Sequence, residues 1–146
     1  MEFLLSSTAP KIALSAAGVF FMAGLLTGLW KYLCIRKHPD AIAPHYVNIA
    51  HRAALMYAFA AQLLAVFAAL SAFPDWLNTV GVVLPLAFFA IAILHYINLG
   101  RTTDTNNSIR DSADRNKDYF ILNLLSAAEI GGFSILLVGF FVKVWG

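Results

Sequence analysis

The sequence predicts an all-α integral membrane protein in which residues 1–146 form a single bundle of four transmembrane helices. Hydrophobic residues make up 60% of the 146 and charged residues only 12%, and the mean hydropathy is +0.74. Soluble domains carry about 25% charged residues. Four nearly uncharged segments are each long enough to cross a hydrocarbon core of about 30 Å, which takes roughly 20 apolar residues.

The first helix is predicted at residues 12–33. No charge occurs between Lys11 and Lys31, and this apolar stretch is too long for the core of a signal peptide. No small-residue cleavage site precedes the charges that follow, so we expect the segment to remain in the mature chain. The single cysteine, Cys34, excludes an internal disulfide.

The other three helices lie between charged residues and are predicted at 46–73, 76–99 and 118–142. The second and third are uncharged from Arg52 to Asp75 and from there to Arg101. Between Asp118 and Lys143 the fourth contains one charged residue, Glu129. Its carboxyl group must be protonated or hydrogen-bonded at that depth. The sequence shows no internal repeat and no second domain.

The basic residues are distributed unevenly between the two sides of the predicted bundle. Lys and Arg are retained on the cytoplasmic side of a membrane. The loops 34–45 and 100–117 with the adjoining helix end hold seven basic residues, against two on the other side: Lys31, Arg36, Lys37, Arg101, Arg110, Arg115 and Lys117 against Lys11 and Lys143. We therefore expect both loops in the cytoplasm and both termini outside, in a bacterial inner membrane. The net charge of +2 follows from this topology and gives no reason to expect nucleic acid.

This topology gathers polar residues from all four helices in the cytoplasmic third of the bundle, while the outer half is almost purely apolar. A functional site is therefore expected at the cytoplasmic end. Aromatic residues at that level are also typical of the membrane interface, and Arg52 could extend to the lipid headgroups. The polar residues include Trp30, Tyr32, Asn48, His51, Arg52, Tyr57, His95, Tyr96, Asn98, Asn116, Tyr119 and Asn123.

The segment "PHYVNIAHRAALMY" places a histidine and an arginine at the start of the second helix. Helical spacing puts Asn48 and His51 on one face, with Arg52 beside them. A neutral imidazole near a cation suits haem b, with His51 as the metal ligand and the cation facing a propionate. His95, roughly 7 Å inside the third helix, must also be hydrogen-bonded, paired or coordinated. A purely structural role is the alternative for both histidines.

Short motifs in three helices resemble the family of small four-helix membrane isomerases typified by styrene oxide isomerase and hydroxylaminobenzene mutase. They are "GLLTGLW" in the first helix, Ala50-His51 in the second and a tyrosine near the end of the third, Tyr96. The resemblance implies a homotrimer that holds haem b between subunits, with His51 as the axial ligand. Tyr57 stands where the family has an asparagine six residues after that histidine.

The resemblance also implies a redox-neutral reaction on a small lipophilic substrate. Ferric iron would act as a Lewis acid that converts an aryl epoxide to an aldehyde or rearranges an aryl hydroxylamine, in an apolar pocket that excludes water. Tyr96 and Tyr57 are the expected hydrogen-bond donors to the substrate oxygen. Asn98 and Asn123 are the second choices.

An alternative function is electron transfer. The segments "HRAAL" and "HYINLGR" are similar to haem-binding helices in the membrane anchors of succinate dehydrogenase. In that case His51 and His95 would both ligate one haem, which would exchange electrons with quinone. A six-coordinate haem would favour the cytochrome and a five-coordinate haem the isomerase.

Overall fold

A computed structural model describes residues 7–146 and contains four α-helices: α1 (Thr8–Lys37), α2 (His45–Leu70), α3 (Asp75–Thr102) and α4 (Arg115–Trp145). All four are long and apolar enough to cross a membrane. The predicted all-α, four-helix class is therefore confirmed, and the described part of the chain contains no strand.

The helices begin one to four residues before the predicted starts, and all but α2 extend three or four residues beyond the predicted ends. Two of these differences have local reasons. α2 ends at Leu70 rather than at residue 73, because the residue before Pro74 is disfavoured in helical geometry and the chain is already extended at Ser71. α4 begins at Arg115 rather than at residue 118, because the Asp114 carboxylate accepts a hydrogen bond of 3.1 Å from the Lys117 amide. This contact caps the first turn of the helix.

The helices run alternately up and down, with α2 and α3 in the centre and α1 and α4 on opposite flanks. α1 packs on α2 and α3, whereas α4 packs on α3 and α2. Within residues 7–146, α1 and α4 do not touch. Many large apolar side chains face outward, including Phe59 and Ile130, as expected for helices surrounded by lipid.

The contact between α1 and α2 is built from small residues. Alanines recur every three or four residues along the buried faces of both helices, and they allow the backbones to approach closely. Gly24 continues this seam, because a Cβ there would lie 2.5 Å from Leu55 Cδ2. The buried small residues of the two helices are Ala9, Ala13, Ala17, Gly24, Ala50, Ala54, Ala58, Ala61, Ala65 and Ala68.

The contact between α3 and α4 depends on glycines around a proline. Pro85 lies inside α3, and a Cβ on Gly132 of α4 would lie 2.6 Å from Pro85 Cδ and 2.8 Å from the Gly81 carbonyl oxygen. Gly139 contacts Ser71 at the end of α2, and its carbonyl oxygen accepts a 2.9 Å hydrogen bond from the Ala72 amide. These contacts attach α4 to the bundle through its second half.

The first half of α4 is attached much less closely. Every buried residue of this helix lies at or after Ala128, and none lies between residues 115 and 127. At the end where α4 begins, the helix therefore diverges from the central pair. This divergence opens space beside α2 and α3 at the level of the predicted site.

Asp75 connects the first residues of two helices. Its carboxylate accepts hydrogen bonds of 3.1 Å from the Thr8 amide and 3.2 Å from the Ala9 amide, although Asp75 itself begins α3. A carboxylate is favourable at a helix N-terminus, where unpaired amides concentrate positive charge. The Asp75 carboxylate thus lies at the N-termini of both α1 and α3.

The segment 103–114, here called the cap loop, is held by its own hydrogen bonds. The Arg110 guanidinium lies 2.6 Å from the Asp111 carboxylate and, together with the Thr105 hydroxyl, lowers the pKa of Asp111 to about 2. The Ser108 amide donates a 2.8 Å hydrogen bond to the hydroxyl of Tyr46 at the start of α2. This long-range contact folds the loop back over the end of the bundle.

Candidate functional site

His51 lies between α1 and α2 and is fixed by the backbone of α1. Its Nδ1 is 2.9 Å from the Gly24 carbonyl oxygen, and its ring lies so close to Gly28 that a Cβ there would be 2.9 Å from His51 Cε1. Because a carbonyl oxygen only accepts, Nδ1 is the donor in this contact, and the neutral tautomer with this proton has its lone pair on Nε2.

This arrangement fits a metal-ligating histidine. Ligating imidazoles usually donate their other N–H to a carbonyl or carboxylate, which fixes the tautomer and the ring orientation. Asn48 adds a second observation, because its Oδ1 is buried and has no hydrogen-bond partner in the described residues. The two side chains that share a face of α2 thus offer a free imidazole nitrogen and an unpaired amide oxygen.

A cavity of about 290 Å³, here called the tyrosine cavity, lies beside α2 and α3. Its polar groups are the phenols of Tyr57 and Tyr96 and the guanidinium of Arg52, and the rest of its wall is apolar. The complete lining is Ile49, Arg52, Ala53, Met56, Tyr57 and Tyr96. The structure therefore brings together the two tyrosines that the sequence singled out as donors.

Stacked rings hold both tyrosines. The Tyr57 ring stacks on Phe89 of α3 with centroids 4.2 Å apart, and the Tyr96 ring stacks on Tyr46 with centroids 6.2 Å apart. Of these three phenols, only the Tyr46 hydroxyl makes a hydrogen bond within residues 7–146. The Tyr57 and Tyr96 hydroxyls are left to interact with a bound molecule.

Glu129 lies near this cavity, although the site predicted from the sequence did not include it. Its carboxyl group is close enough to interact electrostatically with both Tyr57 and Tyr96, and its Oε1 is buried without a hydrogen-bond partner in the described residues. The sequence marked it as the one carboxylate inside a span. Which helix it faces depends on the packing of α4.

The predicted site residues do not form one cluster within a single chain. His51 and Tyr57 are six residues apart, which on a helix turns their side chains about 120° from each other. His51 accordingly contacts α1, whereas Tyr57, Tyr96 and Arg52 line the cavity on another side of α2. Within one chain, His51 and Arg52 therefore face different neighbours.

The remaining predicted residues lie elsewhere. His95 faces a second cavity between α3 and α4, so it does not face His51. Asn98 and Asn123 are exposed on the surfaces of α3 and α4 and line neither cavity. Two glycines, Gly24 and Gly28, were missed as partners of His51, although their four-residue spacing in "GLLTG" was a usable signal.

Comparisons with known proteins add no assignment. No family model matches the chain, and neither a curated protein nor a solved structure is significantly similar to it. The class that the fold defines is a four-helix membrane protein. Any narrower function must be argued from the site.

Proposed function

We propose that this protein is a membrane-embedded isomerase that uses haem b to rearrange small lipophilic substrates, such as aryl epoxides to aldehydes or aryl hydroxylamines to their isomers. The observation that carries the proposal is the His51 ring. Its Nδ1 contact with the Gly24 carbonyl leaves Nε2 as a free ligand atom, and the unpaired Asn48 Oδ1 lies on the same face. Bound there, haem would supply a Lewis-acidic iron to a substrate oxygen.

The chain's own contribution to this reaction is the tyrosine cavity. Two fixed phenols can each donate a hydrogen bond to an oxygen on which negative charge develops, and such preorganised donors lower the barrier most effectively where water is scarce. Ile49, Ala53 and Met56 supply an apolar wall that disfavours water. Excluding water matters, because water would trap a cationic centre as a diol.

The separation of His51 from the tyrosines favours an oligomer. A group held by His51 on the α1 side of one chain would meet the tyrosine cavity of a neighbouring copy, because the cavity of the same chain lies on another side of α2. The homotrimer implied by the family resemblance is one such arrangement.

The same geometry bears on the cytochrome alternative. A haem ligated by both histidines of one chain needs them to face each other, yet His51 contacts α1 and His95 faces α4. We therefore favour one histidine ligand per haem and an open second face, as an isomerase requires.

The wild-type protein provides the direct test of the proposed function. Purified in detergent, it should show the Soret band of a five-coordinate haem b and convert an aryl epoxide to its aldehyde without any added redox partner. A protein without haem, or one whose six-coordinate haem is reduced by quinol and yields no rearranged product, would overturn the proposal.

For the topology we propose that both termini lie outside a bacterial inner membrane and that the loops 34–45 and 100–117 lie in the cytoplasm, as the seven-to-two distribution of basic residues indicates. After Cys34→Ser, single cysteines at Asp40 and Asn106 test this, because both positions are exposed. In intact cells only a membrane-permeant maleimide should label them. Labelling by an impermeant maleimide would reverse the orientation.

A further inference from the structure

The second cavity, here called the α3–α4 cavity, has a volume of about 390 Å³ and lies between α3, α4 and the cap loop. Binding sites for small molecules typically measure about 300 to 1,000 Å³, so this space suits a small ligand. Tyr96 is the only residue that lines both this cavity and the tyrosine cavity. The two cavities therefore lie on different sides of one side chain.

The lining of the α3–α4 cavity changes from polar to apolar with depth. His95, Ser108, Ser112 and Asp118 contribute its polar groups, and they come from α3, the cap loop and the first turn of α4. Seven residues further into the helices, about 10 Å at 1.5 Å per residue, the wall is formed by apolar side chains. The apolar part includes Phe88, Ile91, Leu122 and Leu125.

Asp118 has no cationic partner in the structure. Its backbone amide bonds to the Asp114 carbonyl, but the ion pairs within residues 7–146 involve other carboxylates. Arg110 and Arg115 are engaged elsewhere, because Arg110 binds Asp111 and Arg115 donates to the Arg110 carbonyl oxygen. Lys117 is adjacent in sequence and therefore turned about 100° away on the helix.

We propose that the α3–α4 cavity binds a small lipophilic amine, with the ammonium group at Asp118 and the apolar part between α3 and α4. An ammonium has three N–H donors and no acceptor, and the polar end offers a carboxylate, an imidazole and two hydroxyls. A ligand with a carboxylate head would meet the like charge of Asp118. This site uses neither His51 nor Asn48, the two residues proposed to lie at the haem, although its wall shares Tyr96 with the tyrosine cavity.

The test measures binding of three fluorinated probes that share an aryl tail and differ in the head group: 4-fluorophenethylamine, 2-(4-fluorophenyl)ethanol and 3-(4-fluorophenyl)propanoate. The full chain is placed in nanodiscs of uncharged phosphatidylcholine, and ¹⁹F NMR titrations are corrected with empty nanodiscs. We expect the amine to bind at least tenfold more tightly than the alcohol and the propanoate to show no saturable binding. Equal binding of amine and propanoate would overturn the proposal.

Substitutions then identify the cavity. Asp118→Asn should weaken amine binding at least tenfold and leave the alcohol unchanged, whereas Asp104→Asn, an exposed loop carboxylate outside the cavity, should change neither. Leu122→Trp should weaken both ligands by filling the apolar end. Ala53→Phe, which fills the tyrosine cavity, should weaken neither. Amine binding that survives Asp118→Asn, or that is lost with Ala53→Phe, would place the ligand elsewhere and refute the assignment.

Discussion

Replacing His51 by alanine is expected to abolish haem binding, and this is the largest effect that we predict. Within residues 7–146, His51 is the one histidine whose ring nitrogen Nδ1 contacts a backbone carbonyl of another helix while Nε2 has no hydrogen-bond partner. The purified variant should lack the Soret band. Adding free imidazole should restore it in part, because the small molecule can occupy the vacated space.

Two matched variants make the result specific. His45→Ala removes an exposed histidine at the first residue of α2 and should leave the spectrum unchanged. His95→Ala should retain most of the haem, because this residue faces the α3–α4 cavity. Equal loss of haem in His95→Ala and His51→Ala would support the two-ligand cytochrome instead. Full haem content in His51→Ala would refute the assignment of the ligand.

The second large effect is expected for Tyr96→Phe, with the haem still bound. This change keeps the ring stacked on Tyr46 and removes only the hydroxyl of a residue that lines the tyrosine cavity. Loss of one preorganised donor typically lowers the rate about 10²- to 10³-fold, or roughly 2.7 to 4 kcal/mol in barrier height. The measurement is aldehyde formation from an aryl epoxide at saturating substrate, with haem content measured in the same sample.

The comparison variants for this prediction separate chemistry from packing. Tyr57→Phe should lose less activity. The isomerase family that the sequence resembles has an asparagine at this position, and we expect Tyr57 to tune substrate choice. Tyr32→Phe should have no effect, because Tyr32 is exposed and lines neither cavity. If Tyr96→Phe keeps more than half of the wild-type rate, the phenol is not a donor in the reaction.

The number and position of the helices were predictable because a bilayer requires about 20 apolar residues per span. The pairing of side chains across helices was not. In a soluble helix, an apolar stripe shows which face is buried, but α2 is apolar on nearly all sides and its packing follows small residues instead. Helical spacing alone separates the side chains of His51 and Tyr57 by about 120°, but it could not show that His51 contacts α1.

The cap loop illustrates a second limit of sequence analysis. Its polar composition predicted only a loop, because the contact that folds it over the bundle joins Ser108 to Tyr46, 62 residues earlier in the chain. The α3–α4 cavity depends on that contact, since Ser108 and Ser112 form part of its wall. The sequence predicted that His95 lies inside the third helix and needs a partner. The cavity that it faces could be found only from the folded loop.

The hydrogen bonds between Asp75 and the first amides of α1 have a consequence for the order in which the chain is assembled. Thr8 and Asp75 are 67 residues apart, so two complete helices must be synthesised before this acceptor emerges from the ribosome. Until then, the first turn of α1 relies on water or headgroups for its amides. The N-terminal end of the bundle therefore reaches its final structure only after α3 has been inserted, which makes this contact a late step of biogenesis.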